Sequence, residues 1–94
     1  MPRQRTRTDR VIRKGIAPEV AFGMVVRERR KELGFLQWDL EGDAEVNQPY
    51  ISKLERGLIQ PCLRTILHLE EVLQFEPGEL LKRVRTLLLQ KGSD

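Results

Sequence analysis

The sequence predicts an all-α protein: five helices in one domain, preceded by a basic N-terminal arm. Three observations carry this prediction. Apolar residues recur at three- and four-residue spacing from Val20 to Leu88. No stretch alternates with period two, so strands are not expected. Pro18, Gly34, Pro49, Gly57, Pro61 and Pro77 punctuate the chain at helix-length intervals, prolines near starts and glycines at ends.

The elements follow in order. Ala17-Pro18-Glu19 reads as a helix start, with proline in the first turn and an acid suited to the helix dipole. Val20, Phe22, Val25, Val26 and Leu33 form its apolar stripe, while Arg27, Glu28, Lys31 and Glu32 fall mostly outside it. Gly34 ends this first helix, near 18–33. A second helix is expected near 37–44, where Leu40 and Ala44 share a face. Asn47 is a good N-cap for a third helix, near 48–56, with Ile51 and Leu54 inward and Gly57 as terminator. A loop over 58–60 leads to Pro61 and a fourth helix, near 62–74. Pro77 opens a fifth, near 77–90, leaving 91–94 as a tail. Leu81, Val84, Leu87 and Leu88 lie on one side of that last helix, and its leucines exceed what one small domain needs. They are the candidate surface for a homodimer.

Composition bounds function. With 94 residues, 39% hydrophobic and 33% charged, the chain is one domain with a modest core. No apolar run approaches the ~20 residues of a membrane helix, and the arginine-rich start has no apolar segment behind it, so neither a membrane nor a signal peptide is expected. Cys62 has no disulfide partner, and with His68 as the sole histidine no metal site or cofactor is expected. Cys62 is expected to be small and partly buried, and His68 to lie on a helix surface. No nucleophile–base set is present, so an enzyme is not expected.

Charge is unevenly placed. Residues 1–17 carry Arg3, Arg5, Arg7, Arg10, Arg13 and Lys14 against Asp9, a net +5; the remainder carries 11 basic and 13 acidic residues, a net −2. Such an arm suits a phosphate backbone, the alternative being a solvated leader.

Helix, tight turn and helix, then Tyr50-Ile51-Ser52-Lys53-Leu54-Glu55-Arg56-Gly57, a loop and Pro61, resembles the lambda-repressor-like (Cro/Xre-type) helix-turn-helix family. Arg30 with Gly34, Gln37, Leu40 and Val46 fall at matching spacings, and the resemblance covers roughly Phe22 to Leu81. It implies a cytoplasmic, nucleoid-associated regulator of prokaryotic or phage type that binds double-stranded DNA as a dimer. The recognition helix would then enter the major groove. Carried over by position, Gln48, Pro49, Ser52 and Lys53 would face base edges. Gln37, Tyr50, Arg56 and Gln60 would lie along phosphates, with Gln37 also bracing Gln48; for Tyr50 the alternative is simple packing. Arg30 and Glu55 would form a largely buried ion pair. Phage-type repressors, antitoxins and restriction–modification controllers all share this pattern.

Three positions that are small in the family carry glutamate: Glu41, Glu45 and Glu70. Glu45 replaces a turn glycine, so a left-handed backbone is expected there, at a cost of about 1 kcal/mol. Leu36 lacks the side-chain oxygen of the usual second-helix cap. Asp39, Glu41, Asp43 and Glu45 make that helix acidic where a phosphate should pass. Trp38 either donates to a phosphate or covers core or dimer contacts, packing being favoured. The competing function is a protein-interaction module of the same fold, with a protein partner in place of DNA.

Overall fold

The computed structural model describes residues 15–92, and the six basic residues of the arm, Arg3 to Lys14, lie outside that range. Four α-helices and one short 3-10 helix form in the described residues, with no strand among them. We number them α1 (Pro18–Glu32), α2 (Gln48–Glu55), α3 (Leu63–Val72) and α4 (Glu79–Gly92); the 3-10 helix is Gln37–Leu40.

The expected helix at 37–44 is thus reduced to a single 3-10 turn. The chain leaves it at Glu41, whose backbone is extended (φ −62°, ψ 146°). Gly42 and Asp43 are turn formers: the Asp43 carboxylate accepts from the Glu45 N–H (3.1 Å), and Gly42 N–H donates to the Val46 carbonyl (2.9 Å). Ala44 is exposed in that turn rather than on a helix face. Glu45 is not left-handed, since Gln74 alone among the described non-glycine residues has positive φ (59°). The strain expected at Glu45 does not arise.

Glycine is required at two ends. Gly34 closes α1 at φ +73°, with Gly34 N–H bonded to Lys31 and Phe35 N–H to the Arg30 carbonyl. Gly57 closes α2 at φ +76°, where a Cβ would meet Val20 at 2.9 Å. Gln74 plays the same part after α3. There the strain is offset by Arg29, whose Nε and Nη2 donate to the Leu73 and Gln74 carbonyls at 2.9 and 3.2 Å. Phe75 follows, buried between the Arg29 and Arg83 guanidiniums at 5.1 and 4.9 Å from its ring centre.

α1 packs against both α2 and α4, and the 3-10 helix against α2 and α3. The core between them holds Ala21, Phe22, Val25, Val26, Leu40, Val46, Ile51, Leu54, Leu69, Leu73, Phe75, Leu80 and Val84. Each fully buried leucine contributes about 1.5–3 kcal/mol. Val84 is spent in this core and is unavailable to a dimer surface. Leu81 is exposed and Leu87 and Leu88 are half-buried.

Two of the unexpected glutamates act as caps. The Glu70 carboxylate accepts from Leu80 N–H (3.1 Å) in the first turn of α4, and Glu41 does likewise for α2. Glu79 accepts from Glu76 N–H (3.1 Å). That bond, and then Arg83, hold its carboxyl below the ordinary glutamate range. Cys62 is exposed rather than partly buried. It precedes α3, and the Thr65 hydroxyl beside its Sγ (3.4 Å) lowers the thiol pKa. His68 is half-buried, its Nε2 bonded to the Leu40 carbonyl (2.9 Å) against the open backbone of Gly42. Trp38 is 61% exposed, so it does not cover the core.

Candidate nucleic-acid interface

The N-terminus of α2 is fixed from two directions. Asn47 Oδ1 accepts from Tyr50 N–H (3.0 Å), and Glu41 Oε2 accepts from Gln48 N–H (2.7 Å). Pro49 sits in the first turn, where its missing N–H leaves no intrahelical bond unmade. Ile51 and Leu54 turn inward and are fully buried. The opposite face carries exposed Pro49, Lys53 and Arg56, with Ser52 half-buried beside them. Pro49, Ser52, Lys53 and Arg56 thus share one face of α2, to which Lys53 and Arg56 give positive charge.

Behind that face runs a chain of hydrogen bonds whose polarity is set from the core. Glu55 is an acceptor only, with its side chain 3% exposed. Arg30 donates to both its oxygens, Nε at 2.6 Å and Nη2 at 3.0 Å, and Nη1 donates to the Phe35 carbonyl at 2.9 Å. The Glu55 bond raises the Arg30 pKa above its ordinary value despite burial. Gln37 must therefore offer Glu55 its amide nitrogen, and does so at 3.0 Å. Its oxygen then faces Gln48, which donates Nε2–H to it at 2.7 Å. The Gln48 carbonyl oxygen and its other N–H have no hydrogen-bond partner among the described residues. Among the described residues no buried side-chain polar atom lacks a partner.

The remaining sequence-predicted positions are less united. Tyr50 is half-buried against the core. Gln60 donates to Glu19 on α1 (3.2 Å). Arg56 is exposed, its Nε bonded to the Ser52 carbonyl (3.3 Å). The acids around the 3-10 helix prove to be local acceptors. Asp39 takes Leu36 N–H at 2.7 Å, supplying the cap that Leu36 cannot, while Glu41 and Asp43 take those of Gln48 and Glu45. Sequence reading missed Glu41 as a support for α2, and no local signal reveals it, because its partner lies seven residues on. Arg27 is exposed, as its place outside the apolar stripe of α1 predicts, and it also lines a cleft shared with α2, a role the sequence reading did not assign it. Among the described residues no cluster suited to a metal ion occurs, and no helix is long and apolar enough to cross a membrane.

A short helix and tight turn that lock the N-terminus of a second helix, with the latter's polar face outward, define a helix-turn-helix protein. The chain belongs to that family, in its Cro/C1/Xre type: the family's model, described as helix-turn-helix, matches residues 26–80. It is also similar to the HTH-type transcriptional regulator DdrOP3 of Deinococcus deserti, 37% identical over 59 residues. That match covers 63% of this chain and 46% of the relative, so the chain spans about half the length of the regulator it matches.

Proposed function

We propose that the chain is a transcriptional regulator that reads double-stranded DNA with α2 in the major groove, acting by binding alone. The observation that carries this reading is the polarised Gln48–Gln37–Glu55–Arg30 chain. It leaves the Gln48 amide one acceptor and one donor without a partner among the described residues, the pattern that pairs with adenine N6 and N7. Lys53 can reach guanine O6 and N7, and Pro49 can meet a thymine methyl. Ser52 completes the base-facing set. Arg56 and the second amide hydrogen of Gln37 suit phosphates, which position the module without reading sequence. Tyr50 and Gln60 flank that path, and the positive charge of the basic arm suits the same backbone.

A homodimer of repressor or controller type fits this module, with Leu81, Leu87 and Leu88 of α4 as its surface and a nucleoid-bound, cytoplasmic site of action. Selection from random duplex DNA at near-physiological salt tests the reading. Enrichment of a two-fold-symmetric site with half-sites ~34 Å apart is expected, and no enrichment would overturn it. Gln48→Ala and Lys53→Ala are each expected to lose about 1–3 kcal/mol of discrimination between sites while keeping native helicity. Unchanged discrimination in competition binding would remove the base-reading role.

Exposed Leu36 and Trp38, at 62% and 61%, favour a second reading, a module that docks a protein through the 3-10 helix. Duplex binding would then be weak and vanish with salt, whereas a specific reader keeps a preference as salt rises.

A further inference from the structure

A cleft of about 250 Å³ opens between α1 and α2, walled by Arg27, Arg30, Gln37, Ser52, Glu55 and Arg56. Its one carboxylate is already satisfied: Glu55 receives two bonds from Arg30 and one from Gln37. Glu55 and Arg30 cancel in charge, which leaves Arg27 and Arg56 as the cleft's net +2. Both are exposed, and among the described residues neither belongs to an ion pair. They come from different elements, Arg27 from the middle of α1 and Arg56 from the end of α2. The Ser52 hydroxyl and one Gln37 amide hydrogen add neutral donors on the same walls.

Two guanidiniums on the walls of one cleft, with neutral donors beside them, suit a tetrahedral oxyanion: Arg27 can bond two of its oxygens as a fork, and Arg56, whose Nε–H is taken by the Ser52 carbonyl, still offers its Nη groups. We propose that this cleft seats one phosphodiester of the bound duplex, with Arg27 as a backbone-binding residue outside the helix-turn-helix pair. The proposal rests on the DNA-binding reading above. Ser52 joins the two: it lines the cleft and shares the outward face of α2 with Lys53. A phosphate in the cleft therefore sits beside the reading face and fixes its register. This contact is sequence-blind.

The test compares the full chain with Arg27→Gln and Arg27→Lys on a selected site and on a mixed-sequence duplex, over a salt series. For Arg27→Gln, affinity is expected to fall by the same factor on both duplexes. The slope of log K against log salt should flatten by about 0.9, the value for one lost phosphate contact, with the ratio between the duplexes intact. Arg27→Lys keeps the slope. An unchanged slope in Arg27→Gln overturns the proposal. So does a saturable response of the Arg27 and Arg56 Nε–H resonances to inorganic phosphate at constant ionic strength, if the slope does not move, since the cleft would then hold free anions only. If the wild-type chain shows no sequence preference yet Arg27→Gln flattens its slope, the seat stands and base reading alone fails.

Discussion

Glu55→Ala is expected to lower the unfolding free energy by about 3–5 kcal/mol, because it strands the Arg30 guanidinium in a site that is 12% exposed. The net worth of an intact buried pair is small, since its desolvation nearly offsets its attraction; removing one partner exposes the full penalty. Gln37 loses its acceptor in the same step. In urea unfolding the midpoint should fall with an unchanged m value. A loss below about 1 kcal/mol would place the pair with exposed ion pairs and contradict its burial. The variant should also bind DNA with less discrimination than its folded fraction explains, because nothing then orients the Gln37 amide.

Gly23→Ala should produce the next largest effect. At Gly23 α1 packs directly on the backbone of α2: a Cβ would stand 2.7 Å from the Glu55 carbonyl oxygen and nearer still to that of Leu54. Those are backbone atoms, so no rotamer change relieves the contact and the two helices must separate. Alanine favours a helix interior by about 1 kcal/mol over glycine, whereas forced overpacking costs about 3 kcal/mol at the upper end of its usual range. The clash wins, for a net loss of about 2 kcal/mol by thermal or urea unfolding. A stabilised variant would show that the crossing can open freely. Gly34→Ala is an informative contrast, since nothing lies within 4 Å there and only its positive φ is opposed.

The sequence made the helices legible wherever apolar spacing and punctuation agreed. Phe22, Val25 and Val26 with Gly34 define α1, and Ile51 and Leu54 with Asn47 and Gly57 define α2. It misled where they conflicted. Leu40 and Ala44 have helical spacing, yet Gly42 and the Asp43 side-chain bond break the helix between them. Glu41 and Glu70 looked like acids forced into small-residue contacts. Their carboxylates instead reach backbone N–H groups seven and ten residues ahead, a distance that local periodicity does not encode. Val84 and Leu81 share a helix side in the pattern, but where α4 packs on α1 the first is buried and the second exposed. Arg27 was hidden similarly, since only the α1–α2 crossing brings it toward Arg56.

The direction of the hydrogen bonds behind α2 limits what position 48 can become. Because Glu55 cannot donate, Gln37 must point its oxygen outward, and its neighbour at 48 must bring a hydrogen to it. A glutamate at 48, which would suit cytosine, sets oxygen against oxygen; turning Gln37 over only moves that conflict to Glu55. If Gln48 reads a base as proposed, the buried Glu55 charge restricts which letters the surface can spell, and a change of vocabulary at 48 requires a compensating change at 37 or 55.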